Sequence, residues 1–409
     1  MIRSLWKQGH WPSLLASFLY FDVSFMVWVL LGALGVVISQ DIPMTVFQQG
    51  LMVALPILGG SIFRVLLGWY SDRFGAKRAG MLGMSASMVP LFCLWIGGTR
   101  LPEIYAYGFL LGVAGASFAA ALPLASRWYP KENQGLVMGI VGAGNSGTLL
   151  ATWFAPRLAQ IFGSWHAVFG VALIPMSIIL LLYLFAAKEP VMQQTKSSQA
   201  SDFIRLLKEK DTWLFCYFYS ITFGGFVGFS SFLPLYFHGQ FTLSPLQAAN
   251  IAALCVLSGS FVRPVGGWLA DRIGGVSLLK GLFFSISIML GVLPFLPSLT
   301  LQAGCFFALM VCLGMGNGSV FQLVPQRFRQ EIGTVTGLVG AAGGVGGFYL
   351  PFLLGLVREQ SGSFVPGFIF LCAVVGIAWG CLLAVKQQWL SQWADIRRTT
   401  TQFQHAAEK

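Results

Sequence analysis

Charge is scarce in this chain of 409 residues. Only 10% of it is Asp, Glu, Lys or Arg, against about 25% in ordinary soluble domains, which excludes a normally solvated globular surface. Histidine is scarcer still. His10, His166, His238 and His405 lie at the ends of apolar runs or in tails, so neither a metal site nor a histidine-activated nucleophile can be assembled from them. Seven cysteines (Cys93, Cys216, Cys255, Cys305, Cys312, Cys372 and Cys381) all fall inside apolar runs, without a C-x-x-C. They read as small buried hydrophobes and not as a disulfide or zinc framework. No H-E-x-x-H, G-x-S-x-G or P-loop pattern occurs in suitable context, so no enzyme activity, nucleotide site or cofactor is expected. A secretory leader is not expected either, because the first apolar run is too long and no A-x-A follows it.

Apolar length is what the chain has in abundance: 56% of it is hydrophobic. Runs of about 20 apolar residues recur from end to end, the pattern of a polytopic helical membrane protein. Twelve spans are expected, near 12–38, 46–70, 79–97, 103–125, 135–155, 167–187, 212–237, 246–270, 276–296, 302–325, 333–357 and 365–386. Of the 25 Lys and Arg residues, 20 fall on the face shared by both termini, and only Arg100, Arg157 and Arg358 fall on the other. By the positive-inside rule, this places both termini in the cytoplasm, with the chain in the cell membrane. The net charge of +11 therefore orients the chain in a lipid bilayer and does not imply a nucleic-acid partner. One long polar interruption, 188–211, divides the chain. It separates a six-span bundle (1–187) from a second (212–386), with a polar tail at 387–409. Its F-I-x-L-L pattern from Asp202 predicts a short amphipathic helix at the membrane surface.

The remaining two basic residues lie where a cation is costly. G60-S-I-F-R64-V-L-L-G68-W69-Y-S-D72-R73-F-G75 recurs without a gap, 199 residues later, as G259-S-F-V-R263-P-V-G-G267-W268-L-A-D271-R272-I-G274. Each arginine precedes the aspartate of its D-R-x-G turn by eight residues, a helical rise of about 12 Å. That puts Arg64 and Arg263 near the middle of a hydrocarbon core about 30 Å thick, where an ionisable side chain is by default functional. Two such residues, one per half, suggest one anion site shared between the halves. A guanidinium matches a planar oxyanion bidentately as an ammonium does not, and no lysine occupies a span core.

A second repeat pairs the fifth and eleventh spans. G135-L-V-M-G139-I-V-G142-A-G144-N145-S-G147 matches G333-T-V-T-G337-L-V-G340-A-A-G343-G344-V-G346-G347 at an offset of 198 residues. Glycine here serves either close helix packing or backbone approach to a small ligand. The density of glycine on several helix faces, with Asn145 among them, favours the second. Asp22 is the one carboxylate inside a span. It reads as a counter-charge to an arginine, as a protonatable coupling group, or as an interfacial residue of little consequence; the sequence leaves the three open. Trp69 and Trp268, at the ends of repeat-related spans, fit interfacial anchoring.

These motifs resemble those of known transporters. The signature G-x-x-x-D-R-x-G-x-[RK]-[RK] of the major facilitator superfamily is nearly complete at Gly68–Arg78. The paired glycine signatures look like those of its nitrate/nitrite porter family. The resemblance covers essentially the whole chain and implies an all-α membrane fold of twelve helices, arranged as two pseudo-symmetric six-helix bundles. It implies that Arg64 and Arg263 clamp nitrate or nitrite, and that Asn145, Gly142, Gly144, Gly340, Gly343 and Gly344 line the site. Phe118, Tyr219 and Phe223 fit the aromatics that sandwich the anion, while Asp72, Arg73, Asp271 and Arg272 fit gate elements at the inner face. Two repeats with a site at their interface further predict alternating access, and the chain is expected to function as a monomer. Anion exchange is the favoured mode; proton symport through Asp22, or carriage of another small monovalent anion, is the alternative.

Overall fold

A computed structural model describes residues 9–129, 131–189, 205–328 and 332–407. Among these residues the chain is helical throughout, because a backbone in hydrocarbon has to satisfy its polar groups within each span. The first half comprises α1 (three pieces, Trp11–Trp28, Leu30–Ala33 and Gly35–Asp41), α2 (Val46–Phe74), α3 (Ala76–Ile96), α4 (Leu101–Gly115 and Phe118–Ser126), α5 (Lys131–Gly142 and Gly147–Phe162) and α6 (Trp165–Ala186). The second half comprises α7 (Lys210–Phe241), α8 (Pro245–Ile273), α9 (Gly275–Val292), α10 (Leu299–Arg327), α11 (Ile332–Ser361) and α12 (Val365–Ala407). Among the described residues ten spans are long and apolar enough to cross a membrane, the two segments of α4 being taken together. The other two, α1 and α5, are each built from consecutive shorter helices.

The internal repeat reappears as repeated capping. Thr45 and Ser244, 199 residues apart, each accept a hydrogen bond from the backbone N–H of a glutamine three residues on (3.3 Å in both), and the side-chain oxygen of that glutamine accepts one from the cap N–H. These capping boxes start α2 and α8. The same two helices end at Gly75 (φ 97°) and Gly274 (φ 88°), the glycines of the D-R-x-G turns, in backbone that other residues adopt only with strain. Both arginine-bearing helices thus start and stop at equivalent positions, which fixes Arg64 and Arg263 at equal depth.

The fifth span departs from the expected continuous helix. Its glycine signature folds as a 3-10 turn, Ala143–Ser146, between two α-helical segments, whereas the related signature in α11 stays α-helical. The last span also runs further than its apolar run. Helix continues to Ala407, and Trp389 is buried against Phe215 (5.0 Å, stacked) while donating to Asp211 at 2.9 Å. Of the surface helix expected from Asp202, residues 202–204 lie outside the described residues; one helical turn, 205–208, precedes α7.

The halves meet through close backbone approach on the face opposite the termini. Gly32 in α1 packs against Ser231 in α7, and Gly50 in α2 against Pro351 and Gly355 in α11. Polar contacts join the halves there as well. The N–H of Phe47, unpaired within the first turn of α2, donates to Glu359 of α11 at 2.8 Å, and Arg157 of α5 donates to Asn250 of α8 at 2.7 Å.

Candidate functional site

Arg64 and Arg263 converge between the halves. Arg64 is buried (3% exposed) and donates from Nη1 to the Gly340 carbonyl of α11 (2.5 Å) and from Nη2 to the Gly115 carbonyl of α4 (2.9 Å). Its Nε has no partner. One cation thus binds carbonyls of both halves. Gly115 closes the first segment of α4, whose helix breaks just after it, so its carbonyl is free to accept. Arg263 is partly buried, with an unpaired Nη1. The two guanidinium groups are near enough to interact, and the Tyr219 hydroxyl lies in the field of both.

Aromatic rings enclose the cations. Phe118 and Phe223 lie 5.5 and 5.4 Å from the Arg64 guanidinium, one ring from each half. Tyr219 and Phe223, one turn apart on α7, stack nearly parallel (5.0 Å, 4°). Phe118, Tyr219 and Phe223 therefore gather round the arginines as the motif positions imply. The sequence reading missed three members. Phe321 of α10 lies 6.0 Å from Arg263, 5.9 Å from Phe118 and edge-on to Tyr219 at 4.8 Å. Trp28 and Phe25 of α1 contact Phe223 at 6.5 and 6.3 Å. With 36 phenylalanines in the chain, nothing in the sequence singles out Phe321.

The glycine signatures bear on the opposite arginines. A Cβ on Gly142 of α5 would touch the Arg263 guanidinium at 3.7 Å, and one on the repeat-related Gly340 of α11 would crowd Arg64 at 3.3 Å. Each signature thus faces the arginine of the other half. Gly343 admits no side chain beside the Tyr219 ring, and Gly344 admits none beside Ser61. Gly144 packs against Phe21 and the α1 backbone, a helix-packing role. Asn145 is fully buried, and neither its side-chain Oδ1 nor its Nδ2 has a partner.

Asp22 lies on α1 against α5, buried, and accepts a hydrogen bond from Ser146 Oγ at 2.6 Å. Among the described residues it forms no ion pair, so a direct arginine counter-charge is not the arrangement seen. The D-R-x-G turns bind within their own halves: Asp72 pairs with Arg127 at 3.2 Å, and Asp271 accepts from Gln322 at 3.0 Å. Arg73 and Arg272 lie over the rings of Trp69 (5.5 Å) and Trp268 (4.1 Å), both tryptophans being more than half exposed. Glu189 caps α3 beside the first turn, accepting from the N–H groups of Ala76 (2.9 Å) and Lys77 (2.7 Å). That contact has no signal in the motif itself.

A paired cation between two pseudo-symmetric six-helix halves is a carrier's layout, and similarity to known proteins agrees. Residues 16–351 match the model of the Major Facilitator Superfamily. The chain is 35% identical over 351 residues to the "Nitrite extrusion protein" of Bacillus subtilis, covering 86% of this chain and 88% of that one. The chain belongs to the nitrate/nitrite porter family of the major facilitator superfamily. It is also 35% identical to the "Probable nitrate transporter NarT" of Staphylococcus carnosus (89% and 92% covered) and 30% identical to the "Probable nitrate/nitrite antiporter NarK1" of Thermus thermophilus (92% and 91% covered). Among solved structures it shares its fold with a bacterial homologue of the human lysosomal transporter Spinster, at a TM-score of 0.70 and 14% identity over 92% of this chain and 97% of that one.

Proposed function

We propose that this porter carries nitrate and nitrite across the cytoplasmic membrane by alternating access, as a monomer with both termini cytoplasmic. The observation that carries this reading is the convergence of Arg64 and Arg263, one from each half, among Phe118, Tyr219, Phe223 and Phe321. Planar forks and ring faces suit a planar, weakly hydrated monovalent oxyanion. A tetrahedral oxyanion would demand more donors than this apolar cage supplies.

In this reading, residues 1–187 and 212–386 move as two bodies joined by 188–211. A bound anion draws the two cations together, and the Arg64 bonds to Gly115 and Gly340 are exchanged in part for bonds to the anion. Without it, the like charges oppose closure, so the unloaded carrier crosses slowly and transport is exchange. Asp72, Arg73, Asp271 and Arg272 brace the inner face when that face closes. The buried Asp22–Ser146 contact, next in sequence to Asn145, favours a second mode: proton symport, with Asp22 as the group that titrates.

Competition tests the substrate assignment. Labelled nitrate should enter proteoliposomes through the purified carrier, with nitrite in excess suppressing entry and phosphate or acetate leaving it unchanged. Equal suppression by acetate would reassign the site to monocarboxylates.

A further inference from the structure

The tetrapeptide G-x-G-N occurs once in each half, as G142-A-G144-N145 in α5 and as G314-M-G316-N317 in α10. The second copy lies outside the glycine signatures. The two asparagines share an unusual environment: each is completely buried, and in each neither the side-chain Oδ1 nor the side-chain Nδ2 has a hydrogen-bond partner. Buried amides are normally satisfied, because removing them from water without a partner costs free energy.

The register of α10 places Asn317. Gly316 packs against the Thr222 side chain of α7, and Gly318 against the backbone of α8 at Arg263. At about 100° per residue, Asn317 and Phe321 differ by about 40° around the helix and sit one turn apart, both between those two contacts. Phe321 faces Arg263 and Tyr219, so Asn317 lies on the face of α10 that looks into the site. Around it the polar groups are also unmet: Thr222 Oγ1, Ser260 Oγ and Arg263 Nη1 are buried without partners. Ser260 precedes Arg263 by three residues and so shares its face of α8.

We propose that Asn317 is a direct ligand of the transported anion, the second-half counterpart of Asn145, and that its amide N–H group selects nitrate over nitrite. This rests on the small-oxyanion reading above. Two guanidinium forks and the Asn145 amide can satisfy both oxygens of nitrite. Nitrate has a third oxygen and needs one more donor, which Asn317 supplies.

Asn317→Leu tests this, since leucine keeps the size of the side chain and removes both polar atoms. The readouts are the shift in melting temperature caused by nitrate, and the half-saturating concentrations of nitrate and nitrite in proteoliposome exchange. The variant should match or exceed the parent's stability without anion, lose most of the nitrate-induced shift, and require roughly 10- to 100-fold more nitrate, the loss expected for one hydrogen bond to a charged group. Nitrite should change by less than about threefold. A less stable variant with its nitrate response intact would overturn the proposal and make Asn317 a structural residue. So would equal weakening of both anions. If the leucine variant is not recovered folded, Asn317→Ala is read by the same nitrate-to-nitrite ratio. A parent protein indifferent to both anions would instead sink the oxyanion reading itself, whereas a responsive parent with an equally responsive variant sinks only the role of Asn317.

Discussion

Arg64 is the more enclosed of the two cations, and its hydrogen bonds reach both halves. Lysine at this position would keep the charge but could not hold two carbonyls and an oxyanion in one plane. Arg64→Lys should therefore weaken nitrate binding by roughly 10- to 100-fold, the range for losing a charge-assisted hydrogen bond. Arg263→Lys, at a site with fewer protein partners, should weaken it less. Titration calorimetry on both variants checks the order, and a near-normal affinity in Arg64→Lys would contradict the bidentate account. At Asp22, substitution by asparagine preserves an acceptor for Ser146 Oγ. Nitrate/nitrite exchange should survive Asp22→Asn nearly unchanged, and selective loss of proton-driven uptake would instead favour symport. The sequence identified Arg64 and Arg263 because a cation in an apolar run needs a reason. It could not identify Phe321 or Trp28, because aromatic residues are common in every span and only packing separates the few that enclose a cation.

Helix against helix, the glycines divide by the room beside them. A methyl group at Gly343 would drive into the Tyr219 ring, while Gly337, six residues earlier on the same helix, has nothing within 4 Å of an added Cβ. Gly343→Ala should displace the Tyr219–Phe223 stack and reduce nitrate flux by at least about tenfold, since small misplacements at a binding site are costly. Gly337→Ala should transport normally. Parallel flux assays on the two variants decide the matter; equal loss would show that glycine acts through helix flexibility and not through contact. The spans, the repeat and the depth of the arginines were legible in the sequence because hydropathy and an ungapped offset report them directly. The 3-10 turn at Ala143–Ser146 was not, since its related stretch in α11, equally rich in glycine, stays α-helical. Glycine packing does not separate the two: Gly144 and Gly147 lie directly on the α1 backbone near Asp22, and Gly346 lies in the same way on the α7 backbone at Ser220. The continuation of α12 past its apolar run was hidden because Trp389 is held by a partner, Asp211, 178 residues away.

Across the whole molecule, the polar contacts between the halves among the described residues, apart from the Arg64–Gly340 bond in the site, lie on the face away from the termini. They join α5 to α8 through Arg157–Asn250 and α2 to α11 through Phe47–Glu359, helix pairs that the internal repeat interchanges. Alternating access requires such a latch to open when the opposite face closes. Arg157→Met removes one side of it while keeping the apolar stem of the side chain. Backbone amides at the far ends of α5 and α8 should then exchange hydrogen several-fold faster, and unchanged exchange would mean that apolar packing alone holds this face. The central claim is that two opposed cations make movement of the carrier depend on a bound anion. Labelled nitrate entry into proteoliposomes, with pH and voltage gradients collapsed, measures this directly. The account predicts rapid entry when nitrite is inside and little when the lumen holds only an impermeant buffer. Entry of equal speed without internal anion would contradict it.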